Sequence, residues 1–157
     1  MPERITVEVV ATPLPAVVAQ GFFVTAQILE DLGEPTRQAA AVLANEIEQN
    51  FRVGGRPAAW PPLAEATIKR KGHGRILFDS NDLFDEATNP SNFEVTTAKN
   101  TSSAHLDAEQ LPEYAIFHVT GTEFMPERDF TFVSDEAIDE IEKIYANFLD
   151  DAIAAGD

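Results

Sequence analysis

The chain contains no cysteine. That excludes disulfides, thiolate nucleophiles, iron–sulfur clusters and zinc held by thiolates. It leaves the cytosol, a virion and the extracellular space equally open. Histidine occurs only at His73, His105 and His118. None stands at His-x-x-x-His spacing or beside a Glu-x-x-His pair, so no metal-binding motif is present. Serine is scarce and no Gly-x-Ser-x-Gly elbow occurs. No glycine-rich run ends in Gly-Lys-Ser or Gly-Lys-Thr. Gly54-Gly55 and Gly72-x-Gly74 lack the strand-before, helix-after setting of a phosphate loop and read as helix terminators. The expectation is a protein without catalytic centre, cofactor or metal. Acid pairs such as Asp150-Asp151 keep one rival open, a small hydrolase working with paired carboxylates, which needs a buried pair of unequal protonation.

Basic residues are also few. There are 11 against 27 acids, for a net charge of −16. Only Lys69, Lys71, Lys99 and Lys143 are lysines. So acidic a surface repels phosphate and disfavours a general nucleic-acid binder. High acid, low lysine and many alanines together resemble proteins of salt-loving organisms, in which excess charge keeps a screened surface soluble.

What is present suffices for one domain spanning 1–157, with 44% apolar residues to bury. Residues 9–29 carry no charge and have the length of a membrane span. Pro13, Pro15, Gln20 and Gln27 interrupt them, and Glu3, Arg4 and Glu8 are not the positive flank of a signal peptide. The expectation is no membrane role, but a strand followed by a helix buried on several sides.

Ile5, Val7 and Val9 alternate as that strand. Pro13 and Pro15 open the helix and Gly33 reads as its C-cap. Pro35 starts a second helix with Ala40, Leu43, Ile47 and Phe51 on one face, stopped by Gly54-Gly55. Residues 56–63 hold three prolines and read as extended. Short helices follow at 64–71, ended by Gly72, and around Leu83 and Phe84 after Ser80, Asn81 and Asp82. Residues 93–97 and 103–106 read as strand and return strand. Another short helix runs through Tyr114 and His118 to Gly121. Phe130 and Phe132 read as a strand. Ser134 caps a long terminal helix whose buried stripe is Ile138, Ile141, Tyr145, Phe148 and Ala152, expected to lie on the sheet. The class is α+β: a small, mostly antiparallel sheet packed by helices, with a long C-terminal helix.

One charge feature stands apart. Arg52, Arg56, Lys69, Arg70, Lys71 and Arg75 lie within 24 residues and only Glu65 opposes them. That segment carries +5 and the remainder of the chain −21. It is either a contact surface for an acidic partner or a second copy, or it pairs internally with the chain's own acids. Trp60, the only tryptophan, is either an interface anchor in the proline-held segment or a cover for its own core.

The order of several motifs resembles a known family. Phe51-x-x-Gly54-Gly55-Arg56-Pro57, Trp60-Pro61-Pro62-Leu63 and Thr67-Ile68-x-x-Lys71-Gly72 are followed by Leu77 with Leu83. Tyr114-x-x-x-His118-x-x-Gly121-Thr122, Pro126-x-Arg128-x-Phe130 and a last helix complete the set. Together they are similar to the tailed-phage virion morphogenesis, or tail completion, family. The resemblance covers residues 36–152; residues 1–34 lie before it. The family usually has glycine where Asn81 stands and often proline where Asp129 stands. The resemblance implies a structural, non-enzymatic virion protein at the neck or the head-proximal end of the tail, assembled in the host cytoplasm. It implies a hexameric ring that contacts head–tail connector and tail proteins and completes the joining of tail to head. An acidic lumen would let DNA pass without sticking. The alternative of another class is a soluble adaptor or nucleic-acid-binding module using residues 52–75.

Overall fold

The computed structural model describes residues 8–11, 31–98 and 101–155. The helix expected between Pro13 and Leu29 falls outside them, as do Ile5 and Val7. The described elements are strand β1 (Glu8–Ala11), helix α1 (Gly33–Val53), helices α2 (Glu65–Lys71) and α3 (Asp82–Ala87), strands β2 (Phe93–Ala98) and β3 (Thr101–Leu106), helix α4 (Ala115–Thr120) and helix α5 (Asp135–Ala155). Two single 3₁₀ turns, Pro90–Asn92 and Ala108–Gln110, flank the β2–β3 hairpin. The fold is α+β, and its sheet is antiparallel with order β1-β3-β2.

Helix α1 is the spine. Gly33 opens it rather than closing an earlier one: the Gly33 amide donates to Asp31 Oδ1 at 3.1 Å, and Pro35 sits buried in a first turn where its missing N–H has no partner to lose. The stripe read from the sequence is the buried one. Ala40, Leu43, Ile47 and Phe51 are each no more than 3% exposed. Alternation along β3 buries Ser102, Ala104 and Leu106, so that one face of the sheet meets the helix. At the far end, the Phe51 ring lies 5.4–6.0 Å from those of Phe130, Phe84, Phe78 and Trp60. Such edge and tilted contacts are the arrangements aromatic rings favour, and they close this end of the core.

Helix α5 begins as expected, with the Ala137 amide on Ser134 Oγ at 3.2 Å. Its packing differs from the expectation. It lies along α1 rather than on the sheet, and only Ala137 and Ile141 are buried. Ile138 is 46% exposed, while Tyr145, Phe148 and Ala152 are half-buried. The tie to the sheet is polar. The Thr36 hydroxyl of α1 lies 2.8 Å from that of Ser102 on β3 and 2.7 Å from that of Tyr145 on α5.

Phe130 and Phe132 are not in a strand. Their carbonyls both accept from Asn50 Nδ2, at 2.8 Å each. A side chain on α1 thus supplies the donor that a neighbouring strand would otherwise provide, which is why an extended apolar segment stands here without a ladder.

Candidate interaction surface

Residues 54–62 leave α1 through two left-handed glycines, Gly54 at φ 78° and Gly55 at φ 109°. A Cβ on Gly55 would stand 2.6 Å from Trp60 Cδ1 and 2.7 Å from the Trp60 amide nitrogen, so the turn requires glycine for space as well as for φ. The Trp60 amide donates to Gly54 O at 2.7 Å, and its indole Nε1 donates to Asp129 O at 3.0 Å. Trp60 is 8% exposed: it covers its own core.

Arg128 clasps the same segment from the other side. Its Nε donates to Pro61 O at 3.0 Å and its Nη2 to Pro62 O at 3.1 Å. Its own amide donates to His118 O at 2.7 Å. Gly121, at φ 69°, has the Glu127 amide nitrogen 2.9 Å from where a Cβ would stand, which lets the chain double back after α4. The result is a wall made of two irregular segments, 54–62 and 121–134, laid against the end of α1. A shallow recess of about 290 Å³ opens in it between Arg56–Pro61 on one side and Glu127, Asp129 and Phe132 on the other.

Arg56 faces inward. Its Nε donates to Asn50 Oδ1 at 2.7 Å and its Nη2 to Glu46 Oε2 at 3.1 Å, with a further bond to Glu46 O at 2.9 Å. Glu46 Oε2 also accepts the Ser134 amide at 2.8 Å, which joins α1 to the start of α5. Burial alone would raise the Glu46 carboxyl, but the bonds from Ser134 and Arg56 outweigh it and hold the group below its ordinary value.

The remaining cations of the basic segment stay outside. Arg52 pairs with Glu48 on the exposed side of α1. Arg70 pairs with Asp79 at 3.3 Å. Lys71 Nζ donates to Arg75 O at 2.9 Å, and the Arg75 guanidinium lies 3.7 Å from the Phe78 ring centroid. Lys69 is exposed and makes no ion pair among the described residues. The seven residues singled out in the sequence therefore separate. Arg56 and Trp60 build the wall, Arg52 stands on α1, and Lys69, Arg70, Lys71 and Arg75 gather on α2 and the loop after it.

Sequence reasoning missed Glu46, Asn50 and Arg128 as organising residues. Glu46 and Asn50 had a visible signal, since they stand in register with the apolar stripe of Leu43, Ile47 and Phe51. Arg128 had none beyond its place in a motif. It is 5% exposed and has no carboxylate within ion-pair reach among the described residues. His118 is held neutral more readily than an ordinary histidine, by burial first and then by the Arg128 and Lys71 charges. Its Nδ1 is enclosed without a hydrogen-bond partner among the described residues.

No family model, curated protein or solved structure matches the chain. Among the described residues, no helix is long and apolar enough to cross a membrane, and no three histidine or acidic side chains converge as metal ligands.

Proposed function

We propose that this protein is a structural component of a tailed virion, at the neck or the head-proximal end of the tail, where copies form a ring that completes the tail and joins it to the head. One observation carries the reading: four of the motifs on which the family resemblance rests, those at 51–57, 60–63, 114–122 and 126–130, are far apart in sequence but form one physical unit. Gly54-Gly55 seats Trp60. Arg128 holds Pro61 and Pro62, and its amide is held by His118. Gly121 makes room for Glu127. Phe130 packs on Phe51. Even the departure at Asn81 follows the pattern, because its φ of 72° is the left-handed conformation that glycine adopts freely and asparagine tolerates best.

The chemistry of the wall suits assembly better than catalysis. Its best-buried carboxylate, Glu46, is bonded to Arg56 and Ser134 and held ionised. It therefore lacks the raised affinity for a proton that a general acid needs. Arg56 is engaged with Glu46 and Asn50, which removes one cation from any phosphate-binding face on residues 52–75 and weighs against the nucleic-acid alternative. The test is to label the protein on intact particles of the virus that encodes it and image them by electron microscopy. Label at the junction of head and tail is the expected result, together with unjoined heads and tails when the gene is deleted. Particles that carry no label and join normally without the gene would sink the reading.

A further inference from the structure

The charge on this molecule is sorted by element. Helix α5 carries seven acids and one lysine. Glu136, Asp139, Glu140 and Asp150 are exposed on the side away from Ile141, and none makes an ion pair among the described residues. Helix α2 ends in Lys69-Arg70-Lys71, with Arg75 next to it. Lys71 holds its proton less firmly than an ordinary lysine, because of burial first, with Arg70, Arg128 and Arg75 adding to the effect against the single opposing charge of Asp79. Arg128, whose charge acts on Lys71, is a buried guanidinium bonded only to carbonyls. Like charges left together at a surface are stabilised by a carboxylate brought to them, and an acidic helix with no internal cation partners is stabilised by a basic one.

We propose that the acidic outer face of α5 of one copy docks on the α2–Arg75 cationic surface of the next. The inference rests on the ring reading and names the two faces of its repeating contact. The contact is heterologous, since donor and acceptor faces differ, and such contacts form closed rings when the rotation between copies closes. The cations at the end of α2 and at Arg75 face Glu136 and Glu140, which are one helical turn apart on the partner.

The experiment measures the mass of the full-length protein by light scattering across concentration, alongside K69E/K71E, E136K/E140K and the combined four-site variant. Circular dichroism and unfolding midpoints establish that each is folded, and K69E alone, at an exposed residue, supplies a milder version of the same change. Each double variant is expected to raise the concentration for half-assembly by about tenfold or more, and the combined variant, with its charges exchanged, to restore assembly. Raising the salt concentration should weaken the wild-type contact in the same direction. An assembled wild type indifferent to both double variants overturns the docking faces and leaves the ring standing. A loss that the combined variant does not restore also overturns them. A wild type that stays monomeric at every concentration overturns the ring and the docking faces together. If K69E/K71E assembles normally but loses binding to a fluorescent DNA duplex, the cationic surface serves nucleic acid instead.

Discussion

Helices α1 and α5 are each 21 residues long and each carries a clear apolar stripe, yet α1 buries eleven residues and α5 two. The difference comes from position. Helix α1 is enclosed by the sheet, by α5 and by the aromatic cluster around Phe51, so nearly every turn meets a neighbour. Helix α5 meets α1 on one side and leaves Tyr145 and Phe148 half-covered. Amphipathicity states which face seeks cover, not how much cover the fold provides.

The sharpest test of that contrast is a pair of truncations. Phe51→Ala should cost about 3–5 kcal/mol, because it opens a cavity among four aromatic rings. Phe148→Ala, at a half-buried site, should cost only about 1–2 kcal/mol. Denaturant midpoints of the two variants check this, and equal losses would erase the distinction between the helices. Next in size is Asn50→Ala. It leaves the Phe130 and Phe132 carbonyls without their donor and should cost about 2–4 kcal/mol, with unfolding free energy as the readout. A loss below that of an ordinary surface substitution would mean that solvent replaces the side chain and that the 121–134 segment is not fastened by α1.

Acid should weaken the junction between the two helices. The Glu46 carboxyl lies below its ordinary value of 4.5 in the folded protein, so its contribution is fully present above that pH. It is lost as pH falls through the lowered folded value. Wild type and Glu46→Gln, compared by unfolding from neutral pH to below pH 4, should differ most at neutrality and converge in acid; parallel curves would show that the Arg56–Glu46–Ser134 bonds do not stabilise the fold. The smallest expected effect is Tyr145→Phe, about 1 kcal/mol, since it removes the hydroxyl contact with Thr36 and no packing. A loss as large as that of Phe51→Ala would place α5, not α1, at the centre of the fold.

The wall of the candidate surface was legible in pieces only. Gly54-Gly55, the three prolines of residues 56–63 and Trp60 all announced a turn and an extended segment, and the structure has both. Nothing in the local sequence showed that Arg56 turns inward to Glu46 while Lys69 and Arg75 stay outside. A guanidinium on a long flexible stem can face either way, and the choice depends on an acid ten residues earlier on a buried helix face. Arg128 reads as an ordinary basic residue until the Pro61 and Pro62 carbonyls, more than sixty residues away, are brought to it.

By itself the sequence determined the elements whose causes are local. The stripe of α1, the strand at 93–97 and its return at 103–106, the glycine stops after α1, α2 and α4, and the Ser134 cap of α5 all follow from side-chain periodicity and backbone preference over a few residues. Tertiary structure alone decided that α5 rests on α1 and not on the sheet, and that Phe130 and Phe132 are fastened by Asn50 instead of a strand. Each of these is a question of which distant group satisfies a buried face or a backbone carbonyl. Several candidates along the chain could do so, and only the folded arrangement brings one of them within hydrogen-bond or packing distance.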